Sequence, residues 1–164
     1  EGIPGHHYQL NYKIKYLDLS DYRKITSYNS YSEGWALYCE NLGKYDENNT
    51  GEYYHKIKYD MFRCARLVID TGIHYFGWNY DKCFKFMKDN LNQENSMIHK
   101  ELLRYNNLPG QALTYKIGEK TFLYLRNEYI NKGGNIKDFH QTIMKIGPCP
   151  LDFLINIFIK NKLI

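Results

Sequence analysis

The chain has 164 residues, the size of one domain, and its 43% hydrophobic and 24% charged residues exclude a disordered chain and a coiled coil. Its net charge of +4 comes from 22 basic and 18 acidic residues scattered in both signs, without the basic block typical of nucleic-acid binding. We therefore expect a single folded domain over residues 1–164 that binds no nucleic acid.

The first predicted helix begins at Pro4, because proline fits the first position of a helix and disrupts its interior. His6 and His7 then lie in its first turns, and Glu1 lies just before it. Two imidazoles and a carboxylate in so short a stretch are typical of a metal site. Neighbouring residues on a helix point about 100° apart, so we expect only one of the two histidines to bind a given ion.

The next predicted helix contains SEGWALYCE and opens near Glu33. Two roles are open for this carboxylate. Ser30 and Glu33 have the spacing of a capping box, in which Glu33 accepts a backbone N–H at its own helix terminus. Alternatively, Glu33 faces the first helix across an antiparallel pair and contributes to the metal site. Gly34 favours close approach of another backbone or a ligand, since a glycine there costs helix stability.

A long helix is predicted over residues 53–75, where apolar residues recur at helical intervals and Gly77 follows as a stop. Arg66, Asp70 and His74 are spaced four residues apart and line one face of this helix. The spacing alone favours an exposed, salt-bridged stripe. The other interpretation is that Asp70 orients His74 as a supporting group beside a site.

The second half of the chain continues as helices. Asn79 can cap YDKCFKFMKDNL, and MIHKELLRYNN must end before Pro109. Another helix is predicted to begin at Pro109 and to reach the Gly133-Gly134 stop, with Gly118 as a kink. Two shorter helices follow over about 136–145 and 150–160. No stretch alternates like a strand, so the sequence predicts an all-α, multi-helix bundle.

The start of the helix after Pro109 is a second candidate site. Arg104, Gln111 and Tyr115 surround it in RYNNLPGQALTY, and the free N–H groups of a helix start can hold an anion such as a carboxylate. Helix capping alone would also explain the Pro-Gly pair. His140 has no partner at the spacing of a motif.

The four cysteines are widely separated and form no CxxC pair; they are Cys39, Cys64, Cys83 and Cys149. This pattern predicts free, part-buried thiols and favours a reducing compartment such as the cytoplasm. No apolar run reaches the length of a membrane span, and the apolar C-terminal segment is interrupted by Asn156 and Lys160. We therefore predict no membrane span.

Five blocks of the sequence resemble, in this order, the C-terminal part of the domain of unknown function 885 family: PGHHYQ, EGWALYCE, RCARLVIDTGIHYFGW, RYNNLPGQALTYKIG and FHQTIMKIGPCPLDFL. The resemblance spans essentially the whole chain. That family is similar to zinc metallopeptidases of the gluzincin kind, which are all-helical enzymes. The resemblance implies that this chain is the C-terminal portion of a larger gluzincin-like metallopeptidase, whose N-terminal part completes the site.

The resemblance also implies roles around a Zn²⁺ ion. Glu1 matches the glutamate of the family's HExxPGHH block and would be the general base for the attacking water. His6 would be a metal ligand, with His7 as its substitute, and Glu33 in EGWA would be the downstream carboxylate ligand. The family's first histidine would stand immediately before Glu1, so the implied site is incomplete in this segment, because a catalytic zinc takes three protein ligands and a water.

The other blocks acquire roles from the same resemblance. Tyr115 would donate a hydrogen bond to the developing oxyanion, while Arg104 and Gln111 would hold the peptide substrate. Asp70 and His74 would support the site from the long helix. We therefore expect zinc-dependent peptide hydrolysis in the complete protein and an inactive isolated segment. The alternative is a non-catalytic helical module, derived from a metallopeptidase and used for interaction or assembly.

Overall fold

The structure is a computed structural model that describes residues 2–43 and 50–164. Within these two ranges the chain is helical and contains no strand, which confirms the predicted all-α, multi-helix bundle. The helices are α1 (His7–Tyr16), α2 (Asp21–Ile25), α3 (Asn29–Glu40), α4 (Thr50–His74), α5 (Tyr80–Asn90), α6 (Asn95–Asn107), α7 (Thr114–Asn131), α8 (Ile136–Ile146) and α9 (Leu151–Lys160), with a 3-10 turn at Gln111–Leu113 before α7.

Contacts divide the chain into two compact units. The first unit comprises Glu1–Gly43 and Ile117–Ile164, and the second unit comprises Lys44–Lys116. The boundary falls inside α7, so its first three residues belong to the second unit. Each unit has a hydrophobic core of its own. The single-domain assignment for residues 1–164 stays a prediction.

Aromatic side chains of α3 form the centre of the first unit. Tyr31, Trp35 and Tyr38 are buried and surround Phe122 of α7, with T-shaped contacts at 5.3 Å from Tyr31 and 5.7 Å from Trp35. Aromatic pairs in this geometry gain about 0.5–1.5 kcal/mol beyond the area that they bury. Helices α8 and α9 close the core with apolar side chains, namely Phe139, Ile143, Leu154 and Phe158.

Two glycines let α3 and α7 touch backbone to backbone. A Cβ atom added at Gly118 would lie 2.6 Å from the Gly34 Cα and would overlap the Ser30 carbonyl oxygen. A Cβ atom added at Gly34 would overlap the Gly118 backbone in turn. The close approach predicted for Gly34 is therefore confirmed, and Gly118 is its partner at a helix crossing.

The core of the second unit is formed by one face each of α4, α5 and α6. Its fully buried members include Ile69, Cys83, Met87 and Ile98. The predicted long helix is confirmed and runs over Thr50–His74. Asn79 caps α5 as predicted, because its side-chain oxygen accepts the Lys82 backbone N–H at 3.0 Å.

Two predicted helix starts at proline are wrong. Between Gly2 and His6 the dihedral angles of Ile3, Pro4 and Gly5 are not helical, and the regular helix begins at His7. Pro109 does not begin a helix either, because Gly110 follows it with φ of 79°, in the left-handed region. Helix α7 begins at Thr114. In both places the residue after proline is a glycine that turns the chain.

None of the four cysteines forms a disulfide, as predicted. Cys64 is exposed, and the other three are buried. Burial raises the pKa of Cys39 to about 12 and that of Cys149 to about 11. In the described ranges, the helices are all too short or too polar to cross a membrane, consistent with the predicted lack of a span.

Candidate functional site

His6 and Glu33 meet in the first unit. The Nε2 atom of His6 lies 3.3 Å from the Oε2 atom of Glu33, although 26 residues separate them in sequence. Their side chains are 33% and 26% exposed, so both can reach a ligand from solvent. The structure thus brings together two of the three side chains predicted as metal ligands. Glu1, the predicted general base, lies outside the described residues.

The turn before His6 is fixed on α3. The indole N–H of Trp35 donates to the Pro4 carbonyl oxygen at 3.0 Å, and the Cys39 thiol lies 3.6 Å from the same oxygen. Gly5 is buried against Ala36, where an added Cβ would be in van der Waals contact at 3.7 Å. These contacts fix the turn in its non-helical conformation. The same contacts place His6 beside Glu33.

The geometry excludes one of the two roles left open for Glu33 and shows which histidine lies beside it. The N-terminal cap position of α3 is Tyr28, and no side chain caps this terminus, so the capping-box role for Glu33 is wrong. His6 is the histidine beside Glu33. His7 is exposed on α1, where its Nε2 atom lies 3.5 Å from the Asn11 side chain. The two histidines therefore diverge, as the helical angle between neighbours requires.

The donor atoms of His6 and Glu33 fit two positions of a zinc site. Zinc binds imidazole nitrogen and carboxylate oxygen at roughly 2.0–2.2 Å, so two tetrahedral ligands lie about 3.3–3.5 Å apart. The observed separation of 3.3 Å lies in this range and equally fits a direct hydrogen bond. Among residues 2–43 and 50–164, no three histidine, cysteine or carboxylate side chains are grouped to hold a metal. A third protein ligand would therefore have to come from elsewhere.

The second unit contains a different polar cluster. One oxygen of Glu101 on α6 lies 3.0 Å from Arg104 and 3.7 Å from Arg66 of α4, so two guanidinium groups share one carboxylate. The Arg66 side chain is only 13% exposed, and its guanidinium lies between two rings, 4.6 Å from Phe62 and 4.8 Å from Tyr115. Stacking of this kind suits the planar guanidinium.

Gln111 closes this cluster into a ring of contacts. Its Oε1 atom accepts from Arg104 at 3.4 Å, and its Nε2 atom donates to the Tyr115 hydroxyl at 3.1 Å. Tyr115 in turn covers Arg66, which contacts Glu101. The structure therefore brings together Arg104, Gln111 and Tyr115, as the sequence predicted. The Arg66–Tyr115 network denotes these five residues: Arg66, Glu101, Arg104, Gln111 and Tyr115.

Asp70 and His74 hold backbone groups in the second unit. Both carboxylate oxygens of Asp70 accept the Gly110 N–H, at 3.2 and 3.1 Å, and Asp70 is buried. His74 is bonded through Nε2 to the Tyr105 carbonyl oxygen at 2.9 Å. The exposed salt-bridged stripe favoured by spacing alone is therefore wrong for Asp70, which is buried, and for Arg66, which is largely buried, whereas His74 is exposed. The anion at the turn after Pro109 is the chain's own Asp70, which fixes the left-handed turn.

Comparison with known proteins places the chain in a family. The family described as "Bacterial protein of unknown function (DUF885)" matches residues 1–156. The chain belongs to this family. The predicted resemblance is thus confirmed at the level of the family, whose description assigns no activity. Among proteins with curated descriptions, none matches this chain.

A solved structure extends this result to three dimensions. The crystal structure described as "the putative lipoprotein from Colwellia psychrerythraea" matches with a TM-score of 0.87 and 33% sequence identity. The match covers 96% of this chain but 28% of that protein. The DUF885 segment described here therefore spans less than a third of the length of this relative.

Several residues beside these sites were missed or undervalued by the sequence. His140 of α8 lies 2.7 Å through Nε2 from the Tyr38 hydroxyl, and its ring stacks edge-on against Trp35 at 5.7 Å. His140 and Tyr38 are 102 residues apart, so no local sequence pattern indicates their contact. Arg66 is the other example. Its ion pair with Glu101 joins α4 and α6, and helical spacing within α4 could not indicate a partner on another helix.

Proposed function

We propose that the DUF885 protein containing this segment is a zinc-dependent metallopeptidase of the gluzincin kind, with His6 and Glu33 as two of its metal ligands. The observation that carries this proposal is the 3.3 Å approach of the two donor atoms. They come from separate elements, α3 and the turn before α1. The Trp35–Pro4 hydrogen bond and the contact of Gly34 with Gly118 hold those elements in place.

Bound zinc would supply a Lewis acid that polarises a peptide carbonyl and makes water a better nucleophile. In this proposal Glu1 removes a proton from the attacking water, as the family resemblance implies. His6 and Glu33 hold the ion, and the histidine expected before Glu1 provides the third ligand. His6 is preferred to His7 because only His6 lies beside Glu33.

The Arg66–Tyr115 network is suited to bind substrate and stabilise negative charge. The Tyr115 oxygen already accepts from Gln111, so the phenolic O–H is free to donate to an oxyanion. The adjacent Arg66 guanidinium, stacked on the ring, strengthens that donor electrostatically. Arg104 and Gln111 have further N–H groups for a substrate carboxylate or peptide carbonyl. Each of these roles is part of the proposal.

The metal content of the full-length protein tests the proposal. We expect about one zinc per chain after native purification, measured by mass spectrometry of the metal. Replacing His6 with Ala or Glu33 with Gln removes a ligand and should lower that content by at least tenfold. Replacing His7 with Ala is the matched control, because it removes the neighbouring imidazole and should leave zinc bound. Zinc-free wild-type protein would overturn the proposal.

Hydrolysis provides the second measurement. A mixed peptide library incubated with the zinc-containing protein should be cleaved, and Glu1→Gln should abolish cleavage while zinc stays bound. Loss of zinc in Glu1→Gln would instead give this carboxylate a structural role.

The alternative function, a non-catalytic interaction module, is favoured by exposed apolar side chains. Large apolar side chains are exposed on and around α1 and α2, namely Ile3, Ile14, Tyr16 and Ile25. Exposed apolar residues of this size are common at protein interfaces. A full-length protein that binds no zinc and cleaves no peptide, yet loses a stable partner on Ile14→Glu, would support this alternative.

A further inference from the structure

A groove in the first unit has the features of a ligand site. It has a volume of about 510 Å³ and lies among α1, α3 and α8. This volume is typical of small-ligand sites, which are about 300–1,000 Å³. Its apolar side is formed by Pro4, Tyr8, Tyr12, Trp35 and Leu42, and its polar side by α8, which also contributes the apolar Met144. The groove is thus apolar on one side and polar on the other.

The groove is built on the same two elements as the His6–Glu33 pair. Pro4 lies two residues before His6, and Trp35 lies two residues after Glu33. The Trp35–Pro4 hydrogen bond joins these two elements beneath the groove. A molecule bound in the groove therefore rests on the turn that carries His6.

His140 lies in the polar side of the groove with one ring nitrogen already engaged. Its Nε2 atom pairs with the Tyr38 hydroxyl at 2.7 Å. Burial, more than any other cause, raises the pKa of Tyr38 to about 12, so the phenol keeps its proton. Burial and then Arg126 lower the pKa of His140, which favours a neutral ring. Nδ1 is the ring nitrogen left for a ligand, while Trp35 and Tyr38 hold the ring edge-on.

The side chains of α8 include hydrogen-bond donors and acceptors suited to both ends of a peptide unit. Gln141 and His140 offer side-chain hydrogen bonds, and Lys137 and Asp138 add both signs of charge at the rim. The opposite side offers aromatic rings without charge. An apolar ring packs on the aromatic side while the backbone that carries it bonds to the polar side.

We propose that this groove binds a large apolar or aromatic side chain of a peptide, with His140 hydrogen-bonding the peptide backbone. As a subsite for a peptide substrate, the inference rests on the proposed function. It adds a preference for phenylalanine-like residues over small ones. Neither His6 nor Glu33 lines the groove, so peptide binding there does not need the metal.

Ligand-observed NMR on the full-length protein tests this inference with two probes, N-acetyl-L-phenylalaninamide and N-acetyl-L-alaninamide. We expect the phenylalanine probe to bind at least about tenfold more tightly, from the apolar area that its ring buries. Gln141→Trp should fill the groove from its exposed rim and abolish this binding. Lys145→Trp, one turn further along α8 and outside the groove, is the matched control and should bind like wild type. Equal binding of the two probes, or full binding by Gln141→Trp, would overturn the proposal.

The part of His140 is tested separately. His140→Phe keeps a ring in place but removes the hydrogen bond, so affinity for the phenylalanine probe should fall about fivefold, the effect of one neutral hydrogen bond. Wild-type affinity in this variant would remove His140 from the site. All measurements are repeated on protein stripped of metal by a chelator. If the metal-free protein binds the phenylalanine probe and the full-length protein binds no zinc, the groove proposal is supported and only the peptidase proposal is contradicted.

Discussion

The His6–Glu33 pair and the Arg66–Tyr115 network place functional side chains in two different ways. The pair is one contact between two part-exposed side chains, and their backbones are positioned by glycine packing and by the Trp35–Pro4 hydrogen bond. The network is a closed ring of five side chains in which each has at least two partners. Changes to the pair itself should therefore alter function more than stability, whereas changes to the network should alter both.

Tyr115→Phe should have the largest effect, and it separates the two properties within the network. The ring can still cover Arg66, so the free energy of unfolding should fall by only about 1 kcal/mol, for one lost hydrogen bond. Loss of the phenolic donor should lower kcat by about 10²–10³ under the proposed function. Steady-state kinetics of the zinc-containing full-length protein measure this. Tyr124→Phe, half-exposed on the same helix, is the control. An unchanged kcat would remove Tyr115 from catalysis.

Gly118→Val should disrupt the contact between α3 and α7 that positions Glu33. The new side chain would overlap the Ser30 carbonyl and the Gly34 backbone, so α3 and α7 must separate. We expect a loss of about 3 kcal/mol in the free energy of unfolding, measured by hydrogen exchange of the α3 amides. Lys120→Val places the same β-branched residue at an exposed position of α7 and controls for helix propensity. Equal effects from the two variants would show that the glycine contact contributes nothing.

Arg66→Met should loosen the network without touching the pair. It removes the stacked cation and leaves Glu101 with Arg104 as its guanidinium partner. A loss of about 2 kcal/mol is expected, since the side chain is largely buried. Hydrogen exchange in α4 and α6 reports this locally. Lys85→Met, which breaks an exposed pair with Asp89, should cost less than about 0.5 kcal/mol. Zinc content should not change in either variant.

Replacing His140 should give the smallest effect, a change in how the free energy of unfolding depends on pH. Its pKa is lowered in the folded protein, so the unfolded chain binds a proton more readily at mildly acidic pH. The stability associated with a neutral His140 is present above the unfolded pKa, about 6.5, and is lost as pH falls through the folded value. Denaturation between pH 5 and 8 should show a shallower slope for His140→Gln than for wild type. Identical slopes for wild type and His140→Gln would contradict the assignment.

Local patterns predicted the elements of the fold well. The long helix, the Asn79 cap and the close approach at Gly34 each depend on a few neighbouring residues, and the structure confirms them. The two failures at Pro4 and Pro109 have one physical cause. In each case the glycine after the proline lies outside the helical region, and a distant side chain, Trp35 or Asp70, hydrogen-bonds to the backbone of that turn.

The candidate sites could be predicted only in part, because their geometry depends on residues that are far apart in the sequence. Neither the exposure nor the partner of Arg66 or His140 could be read from the sequence, because each is decided by another helix. Helical spacing grouped Arg66, Asp70 and His74 on one face but could not say that Asp70 and Arg66 are largely buried while His74 is exposed. Family resemblance, rather than spacing, selected His6 and Glu33 together.

The most direct test of the metal assignment is a crystal structure of the full-length protein with zinc, recorded on both sides of the zinc absorption edge. We predict an anomalous peak roughly 2.0–2.2 Å from both His6 Nε2 and Glu33 Oε2, with His7 turned away from it. A peak at other side chains, with His6 and Glu33 still in direct contact with each other, would contradict it.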